Sequence, residues 1–322
     1  MKAVTTMQTY VAQFLAERQR LGFASRSMGY ALGSFARYID GLETQGPLTV
    51  EVMAAWARRP NNGSDNPMTW TRRLKILRPF ARWMQQFEPG TEVPDDSVFG
   101  NIDRRLTPHI YTEGEIADLL AAAGRMQPPL RGATYETLFG LLAATGLRIS
   151  EALHLLDADV DLRAGLLTVR RTKFAKSRQV PLHPSTLEAL RAYRRRRDQQ
   201  VASTDETPFF VATRTPRQGR ALSLRQVDRV FRGLCDRLGW VNRGAHHAPR
   251  IHDLRHTFVV RRMVLWQAQG IDVDQQMLAL STYVGHAMVT NTYWYMTAVP
   301  ALMASAAERF EPLLPSTEVS HG

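Results

Sequence analysis

The feature that most constrains this 322-residue chain is a break in its patterning at residues 88–109. That stretch holds Pro89, Gly90, Pro94, Gly100 and Pro108 among polar residues and sustains neither helical nor strand periodicity. One such break in a chain of this length predicts two domains, residues 1–88 and 110–322, joined by a linker at 89–109. Both sides are basic: residues 1–109 carry 14 basic and 10 acidic groups, and residues 110–322 carry 27 and 20, for a formal net charge of +11. An excess of that size points to a polyanionic partner, a nucleic acid before a membrane surface. The single cysteine, Cys235, excludes an intrachain disulfide framework and any metal site built on several thiolates. Glu17 and Arg18 interrupt the N-terminus before an apolar signal core is completed, and no apolar run approaches the ~20 residues of a membrane span. The expectation is a cytoplasmic protein with no membrane contact.

The first domain reads as four helices. Tyr10, Val11, Phe14 and Leu15 recur at helical spacing within residues 6–21, and Gly22 follows as a stop. Leu32, Phe35 and Ile39 repeat the pattern over 26–40, and a short helix from Thr49 carries Met53 and Trp56. Asn66-Pro67 is an N-cap followed by proline at the first helical position. The helix it opens carries Trp70, Leu74, Leu77 and Met84 on one side, with Arg72, Arg73, Lys75, Arg78 and Arg82 as a cationic run, either a solvated face or a set of phosphate contacts. In the second domain Thr112 and Glu115 form a capping-box pattern before an apolar run, and a helix over 134–145 ends at Gly146. Leu166 to Arg171 and Arg178 to Leu182 read as paired strands around a turn, and a shorter strand is expected at 208–212. Helices follow at about 184–200, where Arg194 to Arg197 form a local basic run, and at 223–238, 252–268 and 274–282. The fold class expected is mainly α, with one small antiparallel sheet in the second domain.

Four segments of the second domain carry side chains suited to chemistry. Thr145-Gly-Leu-Arg-Ile-Ser-Glu151 places Arg148 at a helix junction, with Glu151 in reach to hold it. Only Lys2, Lys75, Lys173 and Lys176 are lysines against 37 arginines, yet two of the four fall in Thr172 to Arg178, the expected hairpin turn. A lysine there is either a solvated turn residue or a proton donor reaching a phosphate's leaving oxygen. His252-Asp-Leu-Arg-His256 sets His252 and Arg255 on one helical face. A metalloprotease helix would have glutamate where Asp253 stands, and Arg255 would oppose a divalent cation. Gly285-His286 precedes Tyr295 by nine residues from the histidine, within the cluster Tyr293-Trp294-Tyr295.

In this order, Arg148, Lys173, His252-x-x-Arg255, Gly285-His286 and Tyr295 resemble the signature of the tyrosine recombinases, the phage-integrase family. The four-helix first part is similar to that family's core-binding (SAM-like) domain, so the likeness runs over nearly the whole chain. Val284 departs from the leucine more usual before the Gly-His pair, and the family's histidine-to-tyrosine interval selects Tyr295 over Tyr293. The resemblance implies that Tyr295 attacks a scissile phosphate and forms a 3′-phosphotyrosine. Arg148 and Arg255 would hold the non-bridging oxygens, Lys173 would protonate the 5′ oxygen, and His252 and His286 would add hydrogen bonds. Glu151 would orient Arg148, while Lys176, Arg178 and the Arg72 to Arg82 face would contact DNA. It further implies double-stranded DNA with an inverted-repeat core site and a homotetramer on it. No cofactor or metal is implied. Whether a partner recombinase or accessory factor joins, and whether an Ala301 to Phe310 helix docks in cis or in trans, stays open. Rival readings are a type IB topoisomerase, a DNA-binding regulator without catalysis, and a metal hydrolase on His252 and His256.

Overall fold

A computed structural model describes residues 6–23, 26–42, 46–59, 66–100, 106–170, 177–286 and 288–298. The chain divides into two compact units, Met1–Arg105 and Leu106–Gly322.

In the first unit, α1 (Met7–Arg20), α2 (Arg26–Asp40), α3 (Val50–Arg58) and α4 (Pro67–Met84) stand where the apolar spacing expects them. Thr6, Thr49 and Asn66 cap α1, α3 and α4 by accepting hydrogen bonds from backbone N–H groups of the first turn. Their apolar faces close on one core that includes Phe14, Phe35, Trp56, Leu77 and Phe80. The expected linker belongs in large part to this unit. Val93, Val98 and Phe99 pack against the core, Glu92 N–H donates to the Leu48 carbonyl at 2.8 Å, and the Glu92 carboxylate accepts from Val50 N–H at 2.6 Å. Pro and Gly mark where the chain leaves regular structure, not where it leaves the core, and the division between 105 and 106 falls inside the stretch expected as linker.

The cationic run on α4 splits in two. Arg72, Lys75 and Arg82 are exposed. Arg73 instead donates to the carbonyls of Ala57 at 3.1 Å and Arg59 at 2.6 Å, closing the end of α3, and its guanidinium lies 4.3 Å from the centre of the Trp56 ring. Arg78 pairs with Asp96 at 2.7 Å.

The second unit begins with residues that pack at once: Thr107 accepts from Ala245 N–H at 2.9 Å, and His109 Nδ1 accepts from Arg243 N–H at 3.1 Å. Helix α5 (Glu113–Gly124) has the expected reciprocal Thr112–Glu115 box. It packs on α6 (Pro129–Thr145), which starts earlier than its apolar pattern because Pro129 supplies a first-turn proline. A five-residue helix α7 (Ile149–Leu153) and a 3₁₀ turn at Asp157–Asp159 follow. The sheet has three antiparallel strands in the order β1 (Val160–Asp161), β2 (Leu166–Val169) and β3 (Arg178–Pro181), with Leu167 opposite Val180 and Val169 opposite Arg178. The strand expected at 208–212 reduces to isolated bridges, Leu156 with Pro208 and Val211 with Ala221. Pro208 has no N–H to extend a ladder, and Phe209 and Phe210 serve as buried core instead. Helices α8 (Pro184–Asp198), α9 (Leu224–Leu238), α10 (Ile251–Ala268), α11 (Val273–Val284) and α12 (Thr290–Ala298) follow among the described residues. The basic run at the end of α8 is not all surface, since Arg197 is buried and forks onto Asp157 at 2.8 and 2.6 Å.

The division on α4 predicts a division in stability. Arg73→Ala removes two carbonyl hydrogen bonds and a cation–π contact and should cost the first unit about 2 kcal/mol. Arg72→Ala should cost under about 0.5 kcal/mol. Denaturant melts of the two variants beside the parent chain test the difference.

Candidate active site

Gly146 ends α6 in the left-handed conformation, with φ of 62°, and the turn it makes delivers Arg148 to the start of α7. Glu151 is one turn on. Its carboxylate accepts from Arg148 N–H at 3.0 Å and from the Arg148 guanidinium at 2.8 Å, so a single side chain caps the helix and orients the arginine. The same carboxylate takes a second guanidinium in a two-pronged contact, Arg178 Nη1 at 3.1 Å and Nη2 at 2.8 Å. Arg178 Nε donates to the carbonyl of Tyr283 at 2.9 Å, which ties the foot of β3 to the end of α11. Arg178 was expected to contact DNA. Its forked contact and its 12% side-chain exposure turn it inward instead, as a support for Glu151.

The two arginines named with the phosphate are each anchored on main chain. Arg148 Nη2 donates to the carbonyl of Gly285 at 2.9 Å, and Arg255 Nη1 donates to the carbonyl of Gly146 at 2.7 Å. Gly285, like Gly146, is the left-handed end of a helix, with φ of 70°. Such a residue turns its carbonyl away from the helix axis, and the negative end of the helix dipole adds to the attraction. Neither glycine tolerates a side chain, because a Cβ would meet Phe258 at 2.6 Å at position 146 and Arg178 at 2.6 Å at position 285. Arg255 is 2% exposed, and its Nη2 is buried with no hydrogen-bond partner among the described residues.

The histidines and the tyrosine close the other side. Tyr295, on α12, is 2% exposed and packs with Val259, Val260, Met277 and Val284. Its hydroxyl lies 2.5 Å from His256 Nδ1. The His286 ring runs nearly parallel to it, at 11° and 6.5 Å between centres, and His286 Nδ1 meets the buried Thr292 hydroxyl at 2.7 Å. His252 sits edge-on to His256, 4.7 Å between ring centres. Among the described residues no group of three or more His, Cys, Asp or Glu gathers around that pair. Tyr293, the alternative in the register, is 39% exposed.

Electrostatics follow from this crowding. Burial alone would raise the Glu151 carboxyl, but hydrogen bonds and charge from Arg178 and then Arg148 overrule it and hold the group at about 2. Burial, then the positive charge of Arg148, lowers the Arg255 guanidinium to about 10, still protonated at neutral pH. His252 is exposed on α10, yet desolvation by the protein around it, then the charges of Arg255 and Arg250, take it down to about 4. Burial, His252 and Arg250 take His256 to about 2. At neutral pH the site is therefore cationic through its arginines and neutral at these two imidazoles.

The structure thus brings together Arg148, Glu151, His252, Arg255, His286 and Tyr295 from the expected set. Lys173 and Lys176 lie outside the described residues, as does the Ala301 to Phe310 segment. Sequence reasoning missed the inward role of Arg178, the contact of His256 with Tyr295, and Thr292 beneath His286. For Arg178 a signal existed: strand alternation puts it on the same face as Val180, which is fully buried.

Residues 110–300 match the model of the Phage integrase family. A putative integrase/recombinase, y4rB, of Sinorhizobium fredii (strain NBRC 101917 / NGR234) is 37% identical over 96% of this chain and 98% of its own length. Among solved structures, the XerH site-specific recombinase bound to a palindromic difH substrate superposes with a TM-score of 0.68, at 15% identity over 96% of this chain and 98% of that one. The Tn1549 transposon integrase in complex with transposon right-end DNA gives 0.66, at 16% identity over 94% and 99%.

The two arginine contacts make acid stability a direct readout of Glu151. A carboxylate whose folded pKa lies below its unfolded value stabilises the fold fully above about pH 4.5 and loses that contribution as pH falls toward 2. Glu151→Gln should therefore be less stable than the parent chain at pH 7, with the gap narrowing steadily between pH 4.5 and 2. Urea midpoints measured across that range check the prediction; a gap that stays constant with pH would overturn it.

Proposed function

This chain belongs to the phage integrase family of tyrosine recombinases, site-specific enzymes that cut and rejoin DNA, and on that footing we propose that Tyr295 is its nucleophile and that Arg148 and Arg255 hold the scissile phosphate. The observation that carries this reading is the buried Arg255 Nη2 with no partner among the described residues, beside a buried tyrosine. A buried guanidinium N–H left without an acceptor costs on the order of 1–3 kcal/mol or more, a cost that a bound phosphate oxygen removes. Arg148 and Arg255 match two non-bridging oxygens, since a guanidinium has five N–H donors and the contacts to main chain and to Glu151 use only some of them.

The Tyr295 oxygen attacks phosphorus, a 3′-phosphotyrosine forms and the 5′ oxygen leaves as a hydroxyl, protonated by Lys173. His252 and His286 hydrogen-bond the phosphate, and Glu151 keeps Arg148 in position. The phosphotyrosine retains the energy of the broken ester, so a 5′-hydroxyl from another strand can rejoin it without a nucleotide cofactor. Exchange between two duplexes breaks four strands, which calls for a homotetramer on DNA with an inverted-repeat core site. Exposed Arg72, Lys75 and Arg82 in the first unit, together with Lys176, supply phosphate contacts. The chain acts in the cytoplasm; none of its described helices is long and apolar enough to cross a membrane.

Three measurements test the proposal. With a nicked suicide substrate, Tyr295→Phe should bind DNA and form no SDS-resistant adduct, whereas Tyr293→Phe should still form it. Cleavage should persist in excess EDTA, because three fixed cations replace the charge a two-metal nuclease takes from its ions; loss in EDTA with rescue by magnesium or zinc would sink this mechanism. Combined Arg72→Ala, Lys75→Ala and Arg82→Ala should flatten the salt dependence of binding, the log–log slope falling by about 0.9 for each lost phosphate contact. An unchanged slope and affinity would remove that face from the DNA interface.

A further inference from the structure

His256 follows Arg255 directly on α10, and the phosphate chemistry above gives it no task. It is nevertheless the group that touches the Tyr295 hydroxyl, at 2.5 Å from Nδ1, with the two rings 5.3 Å apart between centres. The contact spans α10 and α12 and is part-buried, with Tyr295 itself 2% exposed. A tyrosine that attacks phosphorus must lose its phenol proton, and the recipient best placed is a side chain already in hydrogen-bond contact with the hydroxyl. Arg148 and Arg255 have no lone pair to offer. His286 Nδ1 is engaged with Thr292.

We propose that His256 is a catalytic residue of the cleavage step, the base that takes the Tyr295 proton through Nδ1. The inference rests on the reading of Tyr295 as nucleophile. In the step, the Tyr295 O–P bond forms and the P–O5′ bond breaks. The phenol proton passes to His256 Nδ1, and the departing 5′ oxygen receives its own proton from Lys173. In rejoining, the 5′-hydroxyl attacks and gives its proton back to Lys173, the O5′–P bond re-forms as the Tyr295 O–P bond breaks, and His256 returns the proton to the phenol. The neutral imidazole protonated at Nε2 presents the required lone pair, and burial keeps the ring neutral in the absence of DNA. As the O–P bond develops the phenol proton becomes far more acidic, while the incoming phosphodiester anion makes a buried imidazole more basic; both changes favour transfer. The side chains around the nucleophile thus divide the work, arginines for charge and His256 for the proton.

The test separates steps that use the phenol from those that do not. A suicide substrate whose scissile 5′ oxygen is replaced by sulfur needs no acid for its leaving group, so its cleavage reports on the nucleophile. His256→Ala should slow that cleavage by ~10²-fold or more. His256→Asn, which keeps a hydrogen-bond acceptor at nearly the same place but cannot hold a proton, should be as slow as His256→Ala. The second reaction bypasses Tyr295: in a Tyr295→Phe background, a 5′-hydroxyl strand attacks an oligonucleotide ending in 3′-p-nitrophenyl phosphate and releases p-nitrophenolate. Adding His256→Ala there should change the rate by no more than about threefold. Equal losses in both reactions would make His256 a structural or phosphate-binding group, and restoration by asparagine would reduce it to an orienting contact; either overturns the proposal. Adduct formation by Tyr295→Phe would instead defeat the underlying reading of the nucleophile.

Discussion

One carboxylate allows the site to exist. Glu151 lies between the guanidinia of Arg148 and Arg178, and a third, Arg255, is close enough to Arg148 for that charge to disfavour its own. Three fixed cations in a largely buried space repel one another strongly, because the low local dielectric enlarges every pair term. Glu151 offsets part of this and leaves an excess of positive charge. That remainder is what a phosphodiester requires, and it is held open by geometry: Arg148 and Arg255 are pinned to carbonyls at one nitrogen each and cannot fold onto the carboxylate completely. The same carboxylate links α7 to the foot of β3 through Arg178.

The fold was legible in the sequence wherever capping chemistry and apolar spacing agreed. Thr6, Thr49, Asn66 and Thr112 each start a helix as their side chains require. Much of the expected linker packs with the first unit because proline and glycine report on backbone regularity, while Val93, Val98 and Phe99 report on burial, and the second signal decides packing. The strand at 208–212 failed for the opposite reason, since apolar β-prone residues there fill a core without forming a ladder.

The site was legible as an ordered set of residue types, but their contacts were not. A run of arginines cannot state which members face solvent. Helical spacing separates exposed Arg72, Lys75 and Arg82 from Arg73 and Arg78, which flank the buried stripe of Leu74 and Leu77 and find partners inside the first unit. His256 reads from sequence as an ordinary helix residue; only the packing of α12 against α10 brings the phenol to it. Residues that recognise a ligand can be named from their chemistry, whereas residues that hold them are defined by partners distant in the chain.

The anchoring of Arg148 and Arg255 on glycine carbonyls bears on how mutational scans of this chain will read. A carbonyl cannot be deleted by substitution, so no side-chain replacement isolates its contribution. Alanine at Gly146 or Gly285 would force the left-handed backbone and collide with Phe258 or Arg178, and a scan would score both positions as folding defects. Their part in aiming the two guanidinia would be hidden inside that score. Replacing the following peptide N–H with an ester oxygen, at Leu147 or His286, weakens the carbonyl as an acceptor while leaving each glycine in place, and so exposes a functional contribution that the twenty side chains leave out of sight.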